Sequence, residues 1–339
     1  MSVRSIKLRY FAIVLCPIAV FLCHSVITDH MIAQELAIPA SILDDSYPWL
    51  ETAGRYRFLA ATWFFGALAV LSAALMLRTL ARPATGRTRI AALATFGLVL
   101  ALAAAPTLKA DDPKDTSHVY DRIGGDLYEA ALSHGSLPGC SAPDDRWLLG
   151  TCGEMPVISL FKAVLDLVNV LAGLAVGSLI VGMILCLDCR QTEGITEEAE
   201  LLADNMRQMR QQLYLAGLVL TFGMLFATSW MYWPLHMVAE ALRSAYGAVL
   251  ISAALYTGTY FSLLILSFYL PVALVLDSRV RDLALTAKGT GAAAKGLDFA
   301  EWKETHGLSE GAADYLRAGL AVAGPVLAAF AGGLPQVSL

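Results

Sequence analysis

Residues 158–187 read ISLFKAVLDLVNVLAGLAVGSLIVGMILCL, and within them no charged side chain follows Asp166. As a helix this stretch would run about 45 Å at 1.5 Å per residue, against roughly 30 Å of hydrocarbon in a bilayer. A helix apolar on every face belongs either in lipid or in a large core. Composition decides between the two. The chain is 57% hydrophobic and 16% charged, with a mean hydropathy of +0.60, whereas soluble domains carry roughly one-quarter charged residues. The expected fold is all-α: a polytopic transmembrane helical bundle.

Five more apolar runs of bilayer length flank that span, at residues 8–28, 58–77, 90–108, 213–232 and 246–276. The alanine-rich run at 90–108 needs a neighbouring helix to settle it. Residues 158–187 and 246–276 exceed a single crossing and must tilt or project beyond the lipid. The first run follows MSVRSIKLR, which is also how a secretory signal begins, but FLCHSVITDH offers no small-residue cleavage site, so it reads as a retained first span.

Six predicted spans place both termini on one side. That side holds sixteen of the chain's 24 Lys and Arg, including Arg78, Arg82, Arg87, Arg89, Arg190, Arg207 and Arg210. The positive-inside rule therefore makes it cytoplasmic, in a multi-pass protein of the cell inner membrane. The domain reading is a six-span membrane domain over 1–287, the linker KGTGAAAKG at 288–296 and a cytoplasmic amphipathic helical tail over 297–339. A seventh crossing in the tail is the alternative. Its apolar part after Arg317 is short and is interrupted by Gly324 and Pro325, which suits a re-entrant or surface-docked helix better.

The outer loop, residues 109–156, carries Cys140 and Cys152 within GCSAPDDRWLLGTCGE. In an oxidising compartment a disulfide is the natural reading, closing a loop with little core of its own; two free thiols are the alternative. Trp49, Trp147, Trp230 and Trp233 fall at or near the outer boundary, where amphipathic rings prefer to sit. Cys186 and Cys189 form a lone CxxC, too few ligands for a tetrahedral zinc site.

On the cytoplasmic side, a helical stem is expected over 190–212, running on into the fifth span. Ile195, Ala199, Leu202, Met206, Met209 and Leu213 keep one seam apolar, to pack against the chain's own tail or against a second copy. Thr196 is the expected cap, with Glu197 and Glu198 near the positive helix end.

Candidate functional groups are few. Gly173 and Gly177 form a GxxxG pair for close helix packing, within the chain or between copies. Ser252, Tyr256, Thr259, Tyr260 and Ser267 share one helical arc and are candidates for lining a pathway, interhelical hydrogen bonding being the plainer use. Lys162 and Asp166, one turn apart, make a candidate ion pair, at the surface or at an ion-coupling site. No Walker loop, dinucleotide fingerprint, HExxH or GxSxG occurs, so no catalytic, cofactor-binding or metal-ligating residues are expected, and the charge pattern offers nothing to nucleic acid.

Two function classes follow. One is an oligomeric pore or membrane pathway without catalytic activity, in contact with the lipid bilayer and with copies of itself. The other is a sensor or scaffold whose disulfide-closed outer loop meets a membrane or periplasmic protein partner and whose tail reports inside. The polar arc, the GxxxG pair and the heptad seam favour the first. The disulfide has a direct check: the non-reduced peptide bearing Cys140 and Cys152 should be about 2 Da lighter than its reduced form, and full alkylation without reductant would remove it.

Overall fold

A computed structural model describes residues 5–28, 48–81, 84–109, 119–120, 123–126, 130, 144, 146–147, 150–151, 157–190, 192, 194–289, 299–309 and 311–337. Long helices dominate. A 3-10 turn, Leu8–Val14, leads into α1 (Leu15–Ile27), followed by α2 (Pro48–Ala81), α3 (Gly86–Lys109), α4 (Val157–Ile184), α5 (Ile195–Tyr232), α6 (Glu240–Gly289), the short α7 (Phe299–Thr305) and α8 (Ala312–Val337). In the loop between α3 and α4, strands β1 (Arg146–Trp147) and β2 (Gly150–Thr151) pair antiparallel as a two-residue hairpin.

Among the described residues, seven helices are long and apolar enough to cross a membrane. Six correspond to the runs found in the sequence, and the seventh is the tail helix. In hydrocarbon a chain must satisfy its backbone N–H and C=O groups internally, which helices do. Large apolar side chains are accordingly found on the outside: Trp63 is 80% exposed, and Leu93, Leu274, Leu320 and Phe330 also face outward.

Helix α5 lies at the centre. Packed against it are α2, α4, α6 and α8. Its 38 residues run unbroken from Ile195 to Tyr232, about 57 Å, so the expected stem and span are one helix. The seam predicted for the stem is buried within this chain, at Ala199, Leu202, Met206, Met209 and Leu213. The cap differs from expectation: Gly194, in extended conformation, stands at the N-cap, and Thr196 is already inside the helix.

The tail helix also departs from expectation, because Gly324 and Pro325 do not interrupt it. It lies between α5 and α6, with small residues at the contacts. A Cβ added at Gly217 would come within 2.6 Å of the Ala321 carbonyl oxygen, one at Gly324 within 2.5 Å of Thr221 Oγ1, and one at Gly332 within 3.0 Å of Thr228 Oγ1. These contacts advance together along both chains, so α8 runs parallel to α5. Gly258 of α6 meets Pro325 and Ala329 in the same way. Lipid provides no hydrophobic drive between helices, and close backbone approach takes its place. Gly324, which looks like a breaker in the sequence, is the residue that admits Thr221. At the start of α8, Arg210 of α5 pairs with Asp314 at 3.1 Å.

The bundle thus has a stem end, where α5 begins, and a loop end, where it finishes. Gly217→Ala should cost about 1–3 kcal/mol of stability by forcing the tail away. Gly319→Ala, with nothing within 4 Å of the added methyl, should stay within about 0.5 kcal/mol of the parent. Melting of both variants in detergent checks the pair, and equal effects would contradict the packing.

Candidate functional site

Three features of the bundle carry more than packing: a polar node at the stem end, an aromatic cluster at the loop end, and a cavity between them. The node is built on Asp188, inside the CLDC turn that follows α4. Its side chain is only 2% exposed. Its Oδ1 accepts from the Ser5 amide at 3.0 Å and from the Arg190 amide at 3.2 Å. Its backbone carbonyl accepts from Asn205 Nδ2 at 3.0 Å and from Arg279 at 2.9 Å. One residue therefore ties the amino-terminal segment, the end of α4, α5 and α6 together. Of the flanking thiols, Cys186 donates to the Gly182 carbonyl and Cys189 to the Leu187 carbonyl.

At the loop end, Phe58 of α2 packs on Phe226, Trp230 and Trp233, at ring-centroid separations of 5.4, 5.4 and 5.1 Å. Trp230 and Trp233 are each 1% exposed, so their rings are packed inside the bundle. The reason is local. Gly54 and Gly124 lack the side chains that would exclude the rings: a Cβ at Gly54 would lie 2.6 Å from the Trp233 ring, and one at Gly124 would lie 2.2 Å from the Trp230 indole nitrogen. Trp49 and Trp147 have side chains outside those described.

Gly124 belongs to the loop between α3 and α4, and part of that loop is seated on the bundle. Val119, Tyr120, Ile123 and Gly124 are buried. Tyr120 meets Phe226 edge to face, and its hydroxyl donates to Asn169 Oδ1 of α4 at 2.7 Å. Tyr246 of α6 donates to the Ile123 carbonyl at 3.3 Å.

Beneath Tyr120 lies a cavity of about 100 Å³. Side chains from α1 through α6 line it, among them Phe21, Phe65, Val99, Asn169, Gly223 and Tyr260. The wall on α4 reaches from Asn169 to Ile180, about 16 Å along the helix. Its polar contributions come from Tyr120, Asn169 and Tyr260, and none of the described lining residues is charged. Leaving this space empty would forfeit about 2 kcal/mol of packing.

The residues singled out in the sequence fall in different places. Gly173 and Gly177 pack α4 onto α3 within the chain: a Cβ on Gly173 would lie 2.5 Å from Ala103 Cβ, and one on Gly177 would lie 3.1 Å from the Phe96 ring. Gly173 also lines the cavity. The arc on α6 divides. Ser252 and Thr259 are exposed and, like Ser267, donate to carbonyls of their own helix. Tyr256 and Tyr260 turn to α1, where the Tyr260 ring lies 3.9 Å from that of His24 and the hydroxyls of Tyr256 and Thr28 share a hydrogen bond at 3.3 Å. Of the five, Tyr260 lines the cavity. Asp166 is half-buried on α4, while the Lys162 side chain and both Cys140 and Cys152 lie outside the described residues.

The sequence reading passed over Asp188 and His24. An acidic residue between two cysteines, at the end of a span with no other charge after Asp166, was the available signal for the first, and an imidazole inside a span for the second. Comparison with known proteins finds no relative: no protein-family model, curated protein or solved structure matches the chain.

Asp188→Ala should lower stability by about 1–2 kcal/mol, because it leaves the half-buried Ser5 and Arg190 amides without the carboxylate that accepts from them. Asp188→Asn keeps an acceptor oxygen and should lose less. Thermal unfolding of the two variants in nanodiscs checks the order, and an alanine variant as stable as the parent would dismiss the node.

Proposed function

We propose that this chain is a sensor or scaffold of the cell inner membrane, in which an encounter at the loop end is reported at the stem end through α5. The observation that carries the reading is continuity. Tyr120 rests on Phe226 and Gly124 on Trp230, so the outer loop is seated on the last turns of α5. The same helix runs without a break to Ile195. Coupling between distant sites needs a rigid element that both ends can bias, and α5 supplies one. A disulfide between Cys140 and Cys152 would limit the conformations of the loop and sharpen the response.

The pore reading has less support from the geometry. The hydroxyls of Ser252, Thr259 and Ser267 are bonded to their own helix. The cavity walls are mostly apolar, Tyr120 being one of the few polar residues in them.

The orientation that goes with this reading keeps the stem cytoplasmic, which the Lys and Arg distribution favours. It adds the tail as a seventh crossing, parallel to α5, which carries the carboxyl terminus to the outer side. No Lys or Arg follows Arg317, so this crossing leaves the charge asymmetry intact. Ser338→Cys in intact cells should then react with a membrane-impermeant thiol reagent; reaction only after permeabilisation would return the tail to the cytoplasm.

Hydrogen exchange in nanodiscs tests the reporting itself. Gly124→Val places a side chain where the Trp230 ring stands and should unseat the loop. Amide exchange over residues 195–212 should then rise severalfold while the spans keep their protection. Faster exchange in the loop with an unchanged stem would sink the sensor reading.

A further inference from the structure

The corner where α5 gives way to α6 gathers positive charge. After α5 the chain makes a 3-10 turn, Trp233–Met237, before α6 begins at Glu240. His236 sits in that turn, half-buried, and its Nδ1 is enclosed without a hydrogen-bond partner. A proton on that nitrogen would be an orphaned donor, so the neutral ring carries its proton on Nε2. Two guanidiniums flank the ring: Arg57 of α2 and Arg243 of α6 are both close enough to act on its charge. Packing brings each of them there. Gly54, one turn before Arg57, lets the start of α2 lie on the turn, where an added Cβ would come within 2.8 Å of the Trp233 carbonyl oxygen. Arg243 is anchored through Nε and Nη2, which both donate to the Val238 carbonyl, at 3.3 and 3.2 Å. That fork fixes the guanidinium beside the turn and leaves Nη1 with its N–H groups unused. Among the described residues neither arginine has a carboxylate partner, and Glu240, one turn before Arg243, makes no ion pair with it.

We propose that Arg57, His236 and Arg243 form a binding site for a phosphate group at the loop end of the bundle. Three donors from three elements call for an anion with several acceptor oxygens. A carboxylate has two, which one guanidinium fork would occupy, whereas a phosphate can meet all three groups at once. Arg243 is the fixed point, Arg57 closes from α2, and Nε2–H of His236 donates from the turn. The same chemistry is offered by a lipid headgroup, at whose level helix ends leave the hydrocarbon, and by a free phosphate. Binding itself does not depend on the sensor reading, but its use as the stimulus rests on it. The site adjoins Trp233, whose ring packs on Phe58 beside the seat of the loop. An occupant that draws α2 and α6 onto the turn therefore shifts the population at the end of α5.

The test is a titration of the full chain in an uncharged maltoside detergent, read by melting temperature. Dihexanoyl phosphatidylglycerol and inorganic phosphate are added in separate series, with sodium chloride at matched ionic strength as the blank. At least one phosphate probe should raise the melting temperature saturably above the blank. A response to the lipid alone assigns the site to headgroups, and a response to inorganic phosphate assigns it to the phosphate itself. Arg57→Gln, at an exposed position, should weaken apparent affinity about fivefold while the unliganded protein melts as the parent does. Arg243→Gln should weaken it about tenfold or more. Arg87→Gln, at an exposed position at the start of α3, should leave it unchanged. Shifts no larger than the blank with both probes, or a shift that Arg57→Gln and Arg243→Gln both leave intact, would overturn the proposal.

Amide exchange over residues 195–212, measured with the binding probe present, separates the two readings. Saturable binding with an unchanged stem would keep the site and remove phosphate as the stimulus. A stem that responds to Gly124→Val in a chain that binds neither probe would keep the reporting and remove the site.

Discussion

Close approach of helix backbones at small residues is the constraint on which the rest of this bundle depends. Within lipid, expelling apolar surface from water no longer drives helices together, and contact quality takes over. Gly217 against Ala321, Gly258 against Pro325 and Gly173 against Ala103 are places where an added methyl would collide with a neighbouring helix. With these contacts made, the larger side chains are sorted to two destinations. Leucines and Trp63 go outward, and the bulky rings of Phe58, Phe226, Trp230 and Trp233 collect at the loop end, where Gly54 and Gly124 make room.

Because α8 and α6 close on one side of α5 while α2 and α4 close on another, α5 becomes the element that nearly every feature touches. The seated loop meets its last turns. The cavity is walled by its Val219, Leu220 and Gly223. The tail follows it in parallel, and the polar node holds its stem through Asn205. A displacement at the loop end therefore has few ways to be absorbed locally, since a close-packed interior transmits strain. The Asp188 node adds directional bonds at the far end, fixing where α5 emerges relative to α4, α6 and the amino-terminal segment.

Much of this was legible in the sequence where the physics is one-dimensional. Apolar runs of bilayer length coincide with six of the long helices, and the seam from Ala199 to Leu213 is buried. What escaped was whatever depends on a partner distant in the chain. Gly324 and Pro325 look like breakers until Thr221 is placed beside them. That Trp230 and Trp233 are buried depends on Gly54 and Gly124, far off in sequence, which open space for their rings. The hydroxyls on α6 make one arc on a helical projection, yet only the neighbours of that helix decide that Tyr256 and Tyr260 pack on α1 while Ser252 and Thr259 stay outside. Asp188 was hidden for the same reason, since four of its hydrogen-bond partners come from three other segments and its own turn.

The account stands or falls on whether the two ends of α5 are mechanically joined. Spin labels at Asp204 on α5 and Leu285 on α6, both exposed, allow the distance between the stem helices to be measured by pulsed electron resonance in nanodiscs. The account predicts a narrow distance distribution in the parent protein that shifts or broadens when Gly124→Val unseats the loop. An identical distribution in both, with the loop shown to be displaced, would contradict it.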